Sequence, residues 1–182
     1  MLQAVAASVD GAAPFANYQD QDPFTSIAAV IQMETALLEG RFDELLLMDS
    51  QPSRANLGRH EALVGSVPAA AGLAVIGRLH EADEGATRAL LAAERGHATV
   101  TAAAARAIAA ECALRLGDTD RGTALLAAAG PMAGGLAGAL IARAGAAAGH
   151  DDAWLALRGY ADRLRAPGLL EGLVPASIEA RP

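Results

Sequence analysis

The sequence predicts an all-α protein, and three observations carry that reading. Of the 182 residues, 47 are Ala, the residue with the best helix propensity and no side-chain entropy to lose on burial. Val, Ile and Thr together number only 21, poor material for a sheet. Gly and Pro punctuate the chain so as to leave runs of helical length. The clearest run is Thr99–Leu116, which holds neither residue and stacks Ile108, Cys112 and Leu116 at intervals of four.

The elements follow in order. Leu2–Val9 reads as a short first helix. Gly11–Pro23 then reads as an irregular arm in which Phe15 and Tyr18 lie among acidic residues, with Phe24 beside it. Residues 1–24 thus form a helix with an acidic, aromatic arm, and 25–182 a helical-hairpin domain. Thr25 or Ser26 is placed to cap the next helix. Its apolar stripe is Ile27, Val30, Ile31, Leu37 and Leu38, interrupted by Glu34, and Gly40 closes it. Phe42–Asp49 follows with Leu45, Leu46 and Met48 inward. Pro52 stops that helix and Ser53 caps Arg54–Val64. Gly65 and Pro68 predict a break, and helices are expected at 69–81, 84–95, 98–116, 120–129, 132–148 and 151–165. Asp118 or Thr119 caps the helix at 120, and Gly130-Pro131 breaks the chain after it. Ala166-Pro167-Gly168 ends the last long helix, leaving an apolar tail at Leu169–Val174.

Charge and composition narrow the function classes. All 14 basic residues are Arg, against 21 acids, for a net charge of −7. Residues 1–91 carry 5 Arg and 12 acids, whereas 92–182 carry 9 of each. An acidic front half with few aromatic rings offers no basic face for phosphates and little for stacking bases, so nucleic acid is not the expected partner. The N-terminal apolar run is broken by Ser8 and Asp10 and lacks a basic start, unlike a secretory signal. The most apolar stretch, Pro131–Gly149, is built of Ala and Gly around Arg143. A central Arg costs about 2.5–3.5 kcal/mol on insertion scales. A soluble, cytoplasmic protein is expected, with no membrane partner. The single Cys112 excludes an internal disulfide and lies in an apolar run, where it reads as a small buried hydrophobe.

One pattern repeats. Residues 34–43 (ETALLEGRFD), 111–120 (ECALRLGDTD) and 143–152 (RAGAAAGHDD) align without gaps. Each closes a helix with Gly, leaves two residues, and sets Asp43, Asp120 or Asp152 at the start of the next helix, near its positive end. A weaker copy at 76–85 (IGRLHEADEG) aligns with Ala82 at the turn position. The junctions at 40, 82, 117 and 149 are spaced by 42, 35 and 32 residues, close to the roughly 34-residue period of tetratricopeptide repeats. The motif G-x-x-D followed by a small or apolar residue resembles the turn between the two helices of that family. The likeness is best over 98–165. It implies a small position at Gly122 and packing positions at Ala109, Ala113 and Leu126. The family's large aromatics are missing, and Trp154 stands one place past Ala153 where a small residue belongs. The expected fold is therefore antiparallel helical hairpins stacked as a short, degenerate tetratricopeptide-like α-solenoid, with an irregular multi-helix bundle as the alternative. The Gly134/Gly138 and Gly145/Gly149 pairs, four apart on a helix face, predict close helix approach or a break near Gly134-Gly135.

No catalytic or metal constellation stands out. His80 and Glu84 share a helix face as a solvated pair would. The run after His80 lacks the second His of a zinc-protease helix, and neither a phosphate loop nor a nucleophile elbow occurs. Asp118, Asp120, Asp151 and Asp152 fall at helix starts, where capping accounts for them. No cofactor or metal is expected. Helical-hairpin arrays bind other chains in a groove, so the expected function is a non-enzymatic interaction module: an adaptor, assembly factor or regulatory subunit. Arg106 and Arg143, which interrupt Ala-rich helices, are the candidate groove residues. Arg158 offers a surface to an acidic segment, and Phe15 and Tyr18 offer rings for docking. Homo-oligomerisation stays open. The front half, Ile27–Ala110, also resembles export chaperones of the flagellar or type III kind, through an early helix ending in the turn at 37–45 (LLEGRFDEL) followed by long amphipathic helices, which implies a single small client. A small-molecule-binding helical domain is the third reading, marked by an enclosed pocket.

Overall fold

The computed structural model describes residues 23–50, 59–131 and 134–173. Among them are eight α-helices and no strand: α1 (Pro23–Glu39), α2 (Phe42–Ser50), α3 (Arg59–Val75), α4 (Leu79–Arg95), α5 (Thr99–Arg115), α6 (Thr119–Ala129), α7 (Gly135–Ala147) and α8 (Asp151–Leu164). A 3₁₀ turn, Pro167–Leu169, follows. The expected helix at Leu2–Val9, the arm with Phe15 and Tyr18, and the cap at Ser53 lie outside the described residues.

Six helix ends close by one device. The N–H of Gly40, Gly77, His97, Gly117, Gly149 and Arg165 donates to the carbonyl three residues back, and the following N–H to the carbonyl five residues back. This double bond requires a left-handed residue, and φ is positive at all six. The α1–α2, α3–α4, α5–α6 and α7–α8 junctions use Gly40, Gly77, Gly117 and Gly149, while His97 and Arg165 adopt the conformation without glycine. Asp118 caps α6 by accepting a hydrogen bond from the Arg121 N–H at 3.2 Å.

Three sequence expectations change. The weak copy of the junction turns at Gly77, not at Ala82, which is fully buried inside α4. Pro68 and Gly65 do not break the chain: α3 runs through both. Proline costs an internal helix about 3 kcal/mol or more. Here Val67, Ala69, Ala70, Ala71, Ala74 and Val75 are buried around Pro68, and that packing outweighs local propensity. Thr25 and Ser26 lie inside α1, which begins at Pro23, a first-turn position where a missing N–H costs nothing.

The packing explains the alanine. The buried residues of helix α4 are Ala82, Ala86, Ala89 and Ala93, with Leu79 and Leu90 packed partly buried beside them. α5 buries Ala on nearly every side together with Ile108, Glu111 and Cys112. α7 is buried without a gap from Ala137 to Gly145. α5 packs against α3, α4, α6 and α7, and α7 against α5 and α8. The odd-numbered helices also pack in succession, α1 on α3, α3 on α5 and α5 on α7. Small side chains let backbones approach, and two glycines take this furthest. A Cβ on Gly122 would lie 2.5 Å from Leu114 Cγ, and one on Gly145 2.6 Å from the Ala153 Cβ. The small partner of Gly145 is thus Ala153, leaving Trp154 to pack partly buried in the cluster around Leu157 and Leu169. Gly134 has nothing within 4 Å and precedes α7, so the break expected there is real. No helix among the described residues is long and apolar enough to cross a membrane.

Gly122→Ala is expected to lower the unfolding free energy by about 1–3 kcal/mol through overpacking against Leu114. Gly159→Ala within α8, where the nearest atom to an added Cβ is 3.7 Å away, is expected to raise it by about 0.5–1 kcal/mol. Urea denaturation of the two variants checks both signs.

Candidate functional site

One face of the odd-numbered helices holds every feature with chemical character. Along α5 that face reads Thr101, Ala104, Ile108, Glu111 and Arg115, spaced by three and four residues. At one end of it lies a polar knot, and at the other a cleft.

The knot centres on Glu111 and Arg143, whose side chains are 3% and 1% exposed. Arg143 Nε donates to Glu111 Oε2 at 2.8 Å and Nη2 to Oε1 at 2.9 Å. Arg143 Nη1 donates to the carbonyls of Leu169 and Glu171, each at 2.8 Å. Arg115 Nη1 donates to Glu111 Oε1 at 2.9 Å and to the Ala74 carbonyl at 2.6 Å. One carboxylate therefore takes hydrogen bonds from two guanidinium groups, which in turn reach α3 and the turn after α8. A buried ion pair is tolerated only when such extra bonds satisfy the remaining donors.

That turn is packed into the ends of α1 and α3. Gly168 lies against the Leu37 carbonyl and the Gly40 backbone, and Gly172 against the Val75 carbonyl, so closely that a side-chain carbon would not fit at either. Leu169 is 1% exposed and seals the same corner. The described part of the apolar tail, residues 169–173, is thus a strap across the helix ends that buries Leu169 and leaves Glu171 and Gly172 exposed.

The cleft encloses about 280 Å³. Its described walls come from all four odd-numbered helices: Glu34 of α1, Val67 of α3, Val100, Thr101 and Ala104 of α5, and Gly134, Leu136 and Ala137 at the start of α7. Glu34 is the ionisable group among them. It makes no hydrogen bond or ion pair with a described residue, and desolvation pushes its carboxyl above the ordinary range.

The residues singled out in the sequence are scattered. Arg143 does not face an open groove: its guanidinium is enclosed and its hydrogen bonds are spent on Glu111 and the strap, which corrects its expected placement. Arg106 turns toward α4 and pairs with Glu94 at 2.5 Å, with its side chain 25% exposed. Arg158 is exposed on α8, which adds no wall to the cleft. Phe15 and Tyr18 lie outside the described residues. Glu34 and Glu111 were not singled out. Glu111 carried a signal, since it is the lone acid in an Ala-rich helix and Arg143 the lone base in another.

Among the described residues no group of three or more His, Cys, Asp or Glu is placed to hold a metal ion. Cys112 is buried, and that burial, with smaller contributions from the charges of Glu111 and Asp83, pushes its thiol up to about 12. No protein-family model, curated protein or solved structure matches the chain.

Two measurements test this site. Arg143→Met leaves Glu111 buried without its main partner and is expected to cost about 3–5 kcal/mol of stability. Glu111→Leu combined with Arg143→Met is expected to recover part of that loss, read from denaturation midpoints. Cys112 is expected to resist thiol reagents at neutral pH until the chain is unfolded by denaturant. The thiol titrates higher folded than unfolded, so its contribution to stability is lost as pH rises from the ordinary thiol range toward 12.

Proposed function

We propose that this chain is a non-enzymatic protein-interaction module, with its hairpins stacked as a short tetratricopeptide-like solenoid. The odd-numbered helices then form the surface that receives an extended segment of another protein. One observation carries the reading: that surface already holds an irregular segment, the chain's own strap at 167–172, through backbone carbonyls and close glycine contacts. The cleft continues the same face beyond the strap. Succession of α1, α3, α5 and α7 across it supports stacked hairpins over an irregular bundle, and the four glycine junctions at 40, 77, 117 and 149 support a repeated unit.

The cleft is small, about 280 Å³, and open to solvent. It suits a side chain of a longer ligand whose backbone runs outside. Val100, in the wall of the cleft, is an exposed apolar side chain, 61% accessible.

The test is selection of peptides from a random display library on the full chain, followed by binding to two variants. Val100→Trp obstructs the cleft from an exposed position and is expected to weaken selected peptides at least about tenfold, or about 1.4 kcal/mol. Leu155→Trp, on the outer face of α8 and 68% exposed, is expected to leave binding unchanged. Peptides that bind both variants as they bind the parent chain contradict the proposal.

A further inference from the structure

We propose that the segment received by the cleft is basic, and that Glu34 selects it by pairing with a single Arg or Lys side chain set among small apolar neighbours. This rests on the interaction-module reading and deepens it by naming the chemistry of the partner.

Glu34 is an unmet charge. It sits half-buried in a wall whose other described residues are Val67, Val100, Thr101, Ala104, Gly134, Leu136 and Ala137. Taking a carboxylate partly out of water is unfavourable unless a cation or donors compensate it. The knot shows how this chain treats a buried acid elsewhere: Glu111 is given two guanidinium groups. No described Arg pairs with Glu34. Arg106 is committed to Glu94, Arg115 and Arg143 to Glu111, and Arg121 to Asp83. The upward displacement of the Glu34 carboxyl is the signature of desolvation without compensation.

The shape agrees with the charge. An Arg or Lys presents a hydrocarbon stem ending in a cation. The stem suits the apolar walls, and the head reaches a carboxylate at the side, with the Thr101 hydroxyl on the neighbouring helix as a second polar group. Exposed Val100 in the wall favours an apolar residue beside the basic one. An acidic segment meets the opposite situation, since its carboxylate would enter a cavity that already holds one, in a chain of net charge −7.

The experiment uses the full chain and peptides from the random display library. Selection on the parent chain is expected to enrich one Arg or Lys within Ala, Val, Leu or Ile. Replacing that residue by citrulline or norleucine is expected to weaken binding at least about tenfold. Glu34→Gln is expected to abolish the preference, so that charged and neutral peptides bind it alike. Amide shifts at Ala104 and Ala137 locate the bound peptide. Peptides that bind at Ala104 and Ala137 with no dependence on their charge or on Glu34 overturn this proposal while leaving the interaction-module reading in place. If no peptide of any charge shifts those amides, both fall.

Discussion

Everything in this fold leans on the hydrogen-bonded pair of Glu111 and Arg143. Alanine interfaces are smooth. A helix that meets its neighbours with Ala82, Ala86, Ala89 and Ala93 has shallow ridges and few features to tell one register from the next. A buried ion pair with four donated bonds from one guanidinium removes that ambiguity, because it is satisfied in a single arrangement of α5, α7 and the strap. Arg115 extends the lock to α3 through the Ala74 carbonyl. The pair adds little net stability over a hydrophobic replacement, and its contribution is to make one arrangement the only acceptable one.

The two ends of the shared helix face use charge in opposite ways. At the knot, acid and base are matched inside the protein, and the backbone of the strap completes them. At the cleft, Glu34 is left without a match. Both arise from the same placement of polar residues at three- and four-residue intervals in otherwise apolar helices.

Local chemistry was legible in the sequence, and distant pairing was not. The boundaries of α5 and α6 follow from Gly117 and Asp118, which act within a few residues of themselves. Gly40, Gly117 and Gly149 are the turns that the repeated motif predicts. The motif misplaced its weakest copy, since an alignment on acids favoured Ala82 whereas left-handed geometry required Gly77. Pro68 misled because proline speaks to local backbone preference, and the burial of its neighbours outweighs it. Arg143 misled for a related reason: its partner lies 32 residues earlier. An isolated base in one buried helix and an isolated acid in another do announce each other, but only once both helices are read as buried on all sides. Glu34 looked like a blemish in an apolar stripe, and its environment is set by α3, α5 and α7, which no window on α1 contains.

The strap sets an order of events during synthesis. The chain is made from its N-terminus, so Arg143 is polymerised before the carbonyls of Leu169 and Glu171 exist. Until residue 171 has been added, two of its donors lack their acceptors, and the guanidinium keeps only its bonds to Glu111. A chain cut short before residue 171 carries an incompletely bonded guanidinium in an otherwise apolar seam between α5 and α7.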